Sequence, residues 1–132
     1  MEVNNSFGPI DISISGLKAY GKSVELIHSN IANSRTTDAG NGQPYRRVEA
    51  MLQTSEDGGV EVADVKPDMS EFQQILDPGN PAADANGYLR LPNVDVAREV
   101  INLQTATRAY EANVAALKRY QRMVETTLEL LK

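Results

Sequence analysis

The stretch from residue 94 to residue 131 contains neither glycine nor proline, and no other feature constrains the fold as strongly. Its apolar residues follow a repeat of seven: Val96, Leu103, Tyr110, Leu117, Val124 and Leu131. Val100, Val114 and Leu128 lie four positions further on, while Thr107 and Gln121 interrupt that second row. A seven-residue repeat keeps a narrow stripe facing a partner helix and favours left-handed supercoiling. The pattern predicts one helix over 94–131, about 57 Å long at about 1.5 Å per residue. Pro92-Asn93 marks its start, with Asn93 as the expected N-cap. Asp95 and Glu99 in the first turns, and Lys132 at the end, suit the helix dipole.

A second stripe opens the chain. Ile10, Leu17, Val24 and Ile31 recur every seven positions, with Ile14, Tyr20 and Ile27 at offsets of three or four. This predicts an amphipathic N-terminal helix. The expected fold is therefore mainly α with a small β insert. Its long N- and C-terminal helices pair as an antiparallel coiled coil, and three regions divide it at 1–37, 38–92 and 93–132.

The middle region differs. Residues 48–84 hold nine acidic groups and one basic group, Lys66, whereas the flanking regions are each near neutral. Residues 46–54 alternate, with Val48, Ala50 and Leu52 set against Arg47, Glu49, Met51 and Gln53. Asp57-Gly58-Gly59 is a turn signal, and Val60, Val62 and Val65 suggest a second strand, giving a short hairpin. Pro78, Gly79, Pro81, Gly87 and Pro92 then predict an extended connector with turns and no regular structure over 77–92. The acidic surface reads first as a solvated face. Its alternative is a charge-complementary contact with a basic partner.

Composition removes several function classes. The net charge of −5 argues against a nucleic-acid-binding domain, which needs a basic face. With no cysteine and one histidine, His28, the chain has no disulfide, no thiol nucleophile and no usual structural zinc set. No apolar run is long enough to predict a membrane-spanning helix. The polar start, Met1-Glu2-Val3-Asn4-Asn5-Ser6, is not built like a secretory signal. That predicts either a cytoplasmic protein or export without a cleaved signal. Only 2 Phe and 5 Tyr, with no Trp, leave a lean core for 132 residues.

Candidate chemistry is sparse. Gly40-Asn41-Gly42 lacks the third glycine of a dinucleotide loop, since Tyr45 stands there, and reads as a turn. Asp84-x-Asn86-Gly87 resembles part of a calcium loop, but Ala82 and Asn93 would occupy its first and twelfth positions. His28 and Ser29 are adjacent on a helix and point about 100° apart, with no orienting acid in view. No catalytic, cofactor-binding or metal site is expected. Tyr110 and Tyr120 read as packing residues with one wet edge.

Two stripes on so small a chain cannot both be covered by one copy, so neighbouring chains must bury them. The bland reading is a two-helix hairpin that dimerises as a soluble adaptor. The sharper one is a subunit of a helical tube, whose ends order only on assembly. The interface residues expected from the stripes are Leu17, Val24 and Ile31 on the first helix, and Val96, Leu103, Tyr110, Leu117 and Val124 on the second.

Several segments carry a family resemblance. Ser29-Asn30-Ile31-Ala32-Asn33 with Arg35-Thr36-Thr37, Gly42-Gln43-Pro44-Tyr45-Arg46-Arg47, and Asp77-Pro78 with Asn80-Pro81-Ala82 fall in order along the chain. Gly87-Tyr88-Leu89, Pro92-Asn93-Val94-Asp95 and Arg108-Ala109-Tyr110-Glu111-Ala112-Asn113 complete the set. Together they resemble the bacterial flagellar rod and hook axial proteins, most narrowly the proximal-rod type. Gln43, Leu89 and His28 depart from that pattern, as does the ending Leu128-Glu129-Leu130-Leu131-Lys132.

The resemblance implies a structural, non-enzymatic subunit of the basal-body rod, a hollow drive shaft crossing the periplasm. It implies export through the flagellar type III apparatus, and no cofactor. Its implied partners are copies of itself and other rod proteins, of the FliE and FlgB types on the membrane side and the FlgF and FlgG types outward. Another rod or hook axial subunit is the nearest alternative. The resemblance adds Asn30, Asn33, Arg46, Arg47, Arg108 and Asn113 to the expected subunit interface. Asn30 and Asn33 would bond backbone where the first helix ends, and Arg46 and Arg47 would pair with a neighbour's acidic groups.

Overall fold

A computed structural model describes residues 8–132. The elements run α1 (Pro9–Ala32), β1 (Val48–Thr54), β2 (Val60–Pro67), β3 (Gln73–Leu76), β4 (Tyr88–Leu91) and α2 (Val96–Leu130). The chain is thus mainly helical with a small antiparallel β insert. The polar start over residues 1–7 lies outside the described residues.

Helix α1 begins at Pro9, whose missing N–H is no loss in a first turn. The Gly8 N–H donates to the Asp11 carboxylate at 3.0 Å, which also places a negative charge at the positive end of the helix. The sheltered residues of α1 are small or polar: Ser13, Gly16, Ala19 and Asn30. Small side chains let another helix approach closely. Gly16 lies against the Asn113 side chain, Gly21 against Tyr110, and Asn30 bonds Glu99. These pairings run in opposite senses, so α1 and α2 lie antiparallel.

The seam on α2 is not the apolar row. Glu99 and Ala106 are the buried residues of that helix, and Asn113 fills the space over Gly16. They form a seven-residue row of their own, three positions past Val96, Leu103 and Tyr110. The apolar row runs alongside and stays partly open, with Val96, Tyr110 and Val124 exposed and Leu103 and Leu117 half-buried. The pairing also places Pro9 level with about residue 120. The last turns of α2 therefore run past the first described turn of α1, and every residue from 121 to 132 is exposed.

The first hairpin pairs β1 with β2, from Val48 opposite Pro67 to Thr54 opposite Val60. Its register shifts between Met51 and Leu52, which leaves Ala63 without an opposite residue. That bulge explains the spacing of Val60, Val62 and Val65. The extra residue turns Val65 back to the face shared by Val60, Val62, Val48, Ala50 and Leu52. This face packs on α1, and the Val60 N–H donates to Ser15 Oγ at 3.0 Å.

A second hairpin, β3 with β4, occupies part of the segment expected to be irregular. The Pro and Gly residues at 78, 79, 81 and 87 lie within its connecting loop, so they end the strands without preventing them. Each strand has only four residues, too few to register as a pattern. Gly87 has φ of 81°, a left-handed conformation suited to glycine, and a side chain there would crowd the Pro78 ring at 3.0 Å.

The start of α2 also differs from expectation. Its N-cap is Asp95, whose carboxylate accepts from the Ala97 and Arg98 N–H groups. Asn93 is drawn elsewhere: its carboxamide accepts from the Arg47 N–H at 2.9 Å and donates to the Asp68 carbonyl at 2.9 Å. With Asn93 tying two distant segments together, the cap falls to the next residue with a suitable oxygen. Among the described residues the buried hydrophobic side chains are Ala19, Leu89, Val94 and Ala106, a lean core.

Candidate functional site: a polar junction and the open helix faces

Among the described residues the largest fully buried side chains are Glu99, Asn30 and Pro92, two of them polar. Asn30 and Glu99 are 0% exposed and Arg47 is 4% exposed. They meet where the end of α1, the start of β1 and the first turn of α2 converge. The Asn30 carboxamide imitates a strand neighbour. Its Oδ1 accepts from the Val48 N–H at 3.0 Å and its Nδ2 donates to the Val48 carbonyl at 2.8 Å. The same Nδ2 donates to Glu99 Oε2 at 2.9 Å, and Tyr45 O–H donates to Oδ1 at 3.0 Å. No other residue of that size offers both donor and acceptor in this plane.

Glu99 completes the junction. Its Oε1 accepts from Arg47 Nε at 2.8 Å and from Asn102 Nδ2 at 3.3 Å. The remaining guanidinium contacts go to Glu49 at 3.0 Å and Asp68 at 3.5 Å. Burial alone would make the Arg47 cation easier to deprotonate, but the bonds to Glu99 and Glu49 and their charges outweigh it, so its pKa is raised. Among the described residues no buried side-chain nitrogen or oxygen lacks a partner. A buried charge pair is tolerable only under that condition.

Around this junction the neighbouring segments are stitched down. Arg46 donates to the Asp68 and Ser70 carbonyls at 2.7 and 2.9 Å and lies 4.2 Å from the centre of the Phe72 ring. Asn33 Nδ2 donates to the Ser29 carbonyl at 2.9 Å, satisfying backbone at the end of α1. Asp38 accepts from the Gly40 and Gly42 N–H groups, which hold its carboxyl below the usual range, Gly40 most strongly. The Gly40-Asn41-Gly42 segment is thus a turn closed on its own aspartate.

These placements differ from the expected interface. Asn30 and Arg47 were expected to face a neighbouring subunit, but both are buried within the chain because Glu99 and the edge of β1 claim their polar atoms. Arg46 likewise finds carbonyl and aromatic partners in its own chain. Asn113 packs on Gly16 and donates to the Ala109 carbonyl. Sequence reasoning missed Glu99, which looked like a dipole-favoured residue of a first turn. The usable signal lay in the family-like segments, since Asn30, Tyr45, Arg47 and Asn93 all converge here.

The open residues fall on other faces. Leu17, Val24 and Ile31 are half-buried, as are Leu103 and Leu117, while Val96, Tyr110, Val124 and Arg108 are exposed. At the far end Met123, Leu128, Leu130 and Leu131 project, Leu130 at 82% exposed.

Among the described residues nothing catalytic assembles. The groove of about 220 Å³ between α1, β1 and α2 has two charged lining groups, Arg47 and Glu49, and these pair with each other. Ser29 lies by Tyr45 rather than His28. Asp84 gives its carboxylate to the Asn86 and Tyr88 N–H groups, so the calcium-like segment is a turn. Among the described residues no three metal-ligating side chains cluster, and no helix is long and apolar enough to cross a membrane.

Comparison with known proteins places this architecture. Residues 85–130 match the family model described as the flagellar basal body rod FlgEFG protein C-terminal region. The chain is 39% identical over 125 residues to the flagellar basal-body rod protein FlgC of Salmonella typhimurium, covering 91% of this chain and 93% of that protein. It is 34% identical to the FlgC of Bacillus subtilis, covering 96% and 99%. Against the FlgC of Aquifex aeolicus it is 33% identical, covering 96% and 97%.

Proposed function

Because the chain belongs to the FlgC family of flagellar basal-body rod proteins, we propose that its apolar helix rows are the surfaces through which it assembles and carries torque. A member of this family is a structural rod subunit of the basal body and not an enzyme, and it assembles with other rod components. The finer reading concerns how.

One observation carries it. The chain seals its own helix pair with a polar and small-residue seam, Glu99, Ala106 and Asn113, and leaves Val96 and Val124 of the parallel apolar row exposed, with Tyr110 packed against Gly21 on one side and open on the other. Each Val, Leu or Ile that a neighbour fully covers contributes on the order of 1.5–3 kcal/mol. Several such residues per subunit, repeated around a hollow tube, offset the ordering of long helices. The contact is heterologous, one face of a copy against a different face of the next, and therefore propagates. In the tube the apolar rows of adjacent chains supercoil as the seven-residue repeat dictates. Asn33 and Arg108 border these rows. Rod proteins of the FliE, FlgB, FlgF and FlgG types are the partners at the two ends, and the subunit reaches the periplasm through the type III apparatus.

The test is Leu117→Asp in cells lacking their own copy. The variant is expected to be exported yet absent from basal bodies, and the cells non-motile. Normal swimming would refute the assignment of this row.

A further inference from the structure

We infer that Asn41 is a self-modification site, where Asp38 promotes loss of the side-chain amide and conversion to aspartate and isoaspartate. The inference is independent of the rod reading.

The side-chain carbonyl carbon of an asparagine is open to attack by the backbone nitrogen of the next residue. A following glycine permits that approach best, because it has no Cβ to obstruct it. Two asparagines of this chain precede glycine, Asn41 and Asn86. Both are exposed, and both lie in turns held by a nearby aspartate, Asp38 and Asp84. As sequence the two sites look alike, but their geometry separates them.

At the first site the Gly42 N–H donates to Asp38 Oδ1 at 2.9 Å, a distance at which a general base takes a proton. That nitrogen is the nucleophile of the reaction. Asn41 Oδ1 accepts from the Gln43 N–H at 3.1 Å. This bond folds the side chain back over the Asn41–Gly42 peptide and draws electron density from the carbon to be attacked. The Gly40 and Gly42 N–H groups, Gly40 most strongly, hold the Asp38 carboxyl below its usual range, so at neutral pH it is ionised, the form a base requires. Asp38, Asn41 and Gly42 are all exposed, and a Cβ placed at Gly42 would meet nothing within 4 Å, so a ring has room to form.

The second site lacks these features. The Gly87 N–H donates to the Asp84 carbonyl at 2.9 Å, a neutral acceptor. The Asp84 carboxylate is instead engaged by the Asn86 and Tyr88 N–H groups. Gly87 is buried, and the Pro78 ring crowds it. Its nitrogen therefore has neither a base nor space.

At Asn41 the Gly42 nitrogen bonds to Cγ while its proton passes to Asp38. The Cγ–Nδ2 bond breaks, and the nitrogen leaves as ammonia with that proton. The product is a five-membered succinimide. Water then adds to one of its two carbonyls and opens the ring. Opening at Cγ gives aspartate; opening at the main-chain carbonyl gives isoaspartate, with a backbone one carbon longer. No oxidant or reductant takes part. The longer backbone disturbs the turn that the Ala39 N–H closes on the Gln43 carbonyl at 2.9 Å, between α1 and β1.

The experiment ages the purified full chain for several weeks at neutral pH. Trypsin then yields fragments 36–46 and 48–90, which carry the two sites separately. Fragment 36–46 is expected to show an amide converted to an acid at Asn41, and to be methylated by an isoaspartyl methyltransferase. Conversion at Asn86 is expected to be at least tenfold slower. Asp38→Asn keeps an oxygen for the Gly40 and Gly42 N–H groups but accepts no proton. It is expected to slow conversion of Asn41 at least fivefold and leave Asn86 unchanged, with circular dichroism as in the parent. Across neutral pH the parent rate should be nearly flat, whereas the variant rate should rise with hydroxide. A purely structural role for Asp38 would give both chains the same profile. Equal conversion at the two asparagines, parallel pH profiles, an Asp38→Asn rate equal to the parent's, or aspartate formed without isoaspartate would each overturn the proposal.

Discussion

Replacing Arg47 with methionine tests the junction most directly. The Glu99 carboxylate is 0% exposed and, among the described residues, has Arg47 Nε at 2.8 Å as its one cationic partner. Methionine fills much of the arginine stem but supplies no charge. Removing one member of a buried pair costs about 3–5 kcal/mol, because the other stays buried and uncompensated. Glu49 and Asp68 lie nearer to solvent and recover hydration, so their loss adds little. A chain of this length folds with roughly 7–20 kcal/mol, at about 0.05–0.15 kcal/mol per residue. The variant should therefore lose a large part of its stability, a fall in Tm of about 10–25 °C. Thermal and urea unfolding followed by far-ultraviolet circular dichroism measure it. The double variant Arg47→Met/Glu99→Leu should recover at least half of the loss, since an apolar pair often replaces a buried ion pair without penalty. Recovery stays incomplete because Asn30 and Asn102 each lose an acceptor. An Arg47→Met chain within about 0.5 kcal/mol of the parent would show the reasoning to be wrong, because that is the scatter of an ordinary surface substitution.

The two helical glycines should respond oppositely. A Cβ at Gly16 would stand 2.5 Å from Asn113 Oδ1, so Gly16→Leu should cost about 1–3 kcal/mol by forcing the helices apart. At Gly21 the nearest atom is 3.6 Å away, an ordinary contact, so Gly21→Ala should stabilise by up to about 1 kcal/mol through helix propensity. Urea midpoints of both variants decide this. Acid sensitivity should trace partly to Asp68, whose carboxyl is held below its usual range, first by the Ser70 N–H and then by the Ser70 side chain, against burial. Its folded pKa lies below the unfolded value of about 3.9, so its stabilisation is complete above that pH and fades as pH falls through the folded value. The stability gap between the parent and Asp68→Asn should accordingly narrow on acidification. A gap that is constant or grows towards low pH would contradict that assignment.

Both helices were legible from their spacing, because a long run without glycine or proline and with a sustained apolar repeat has few other solutions. The first hairpin was legible too, and even its bulge is written in the uneven steps between Val60, Val62 and Val65. The intrachain seam was not. Glu99 looks like a solvated residue in a list of letters and Asn113 was expected to face another subunit; only the fold reveals that both face α1. Nor was the second hairpin visible, since four-residue strands on either side of a proline-rich loop produce no period. Asn93 misled for a physical reason: the same side chain that caps helices also bridges backbone segments, and here a distant N–H outcompeted the local ones. The candidate interface was legible as composition rather than as geometry. The apolar row was identified, but Asn30, Asn113, Arg46 and Arg47, expected beside it, bond or pack within their own chain.

The junction of Asn30, Arg47 and Glu99 also bears on manufacturing tolerance. Greasy surfaces slide past one another with little preference for position, whereas directional bonds at 2.8–3.0 Å do not. A slip of one residue would move a helix by about 1.5 Å and break every bond at the junction together. Each copy therefore leaves folding with the same register between α1, β1 and α2. A rod subunit needs that uniformity, because small errors of pitch add from one subunit to the next and would bend the rod out of true.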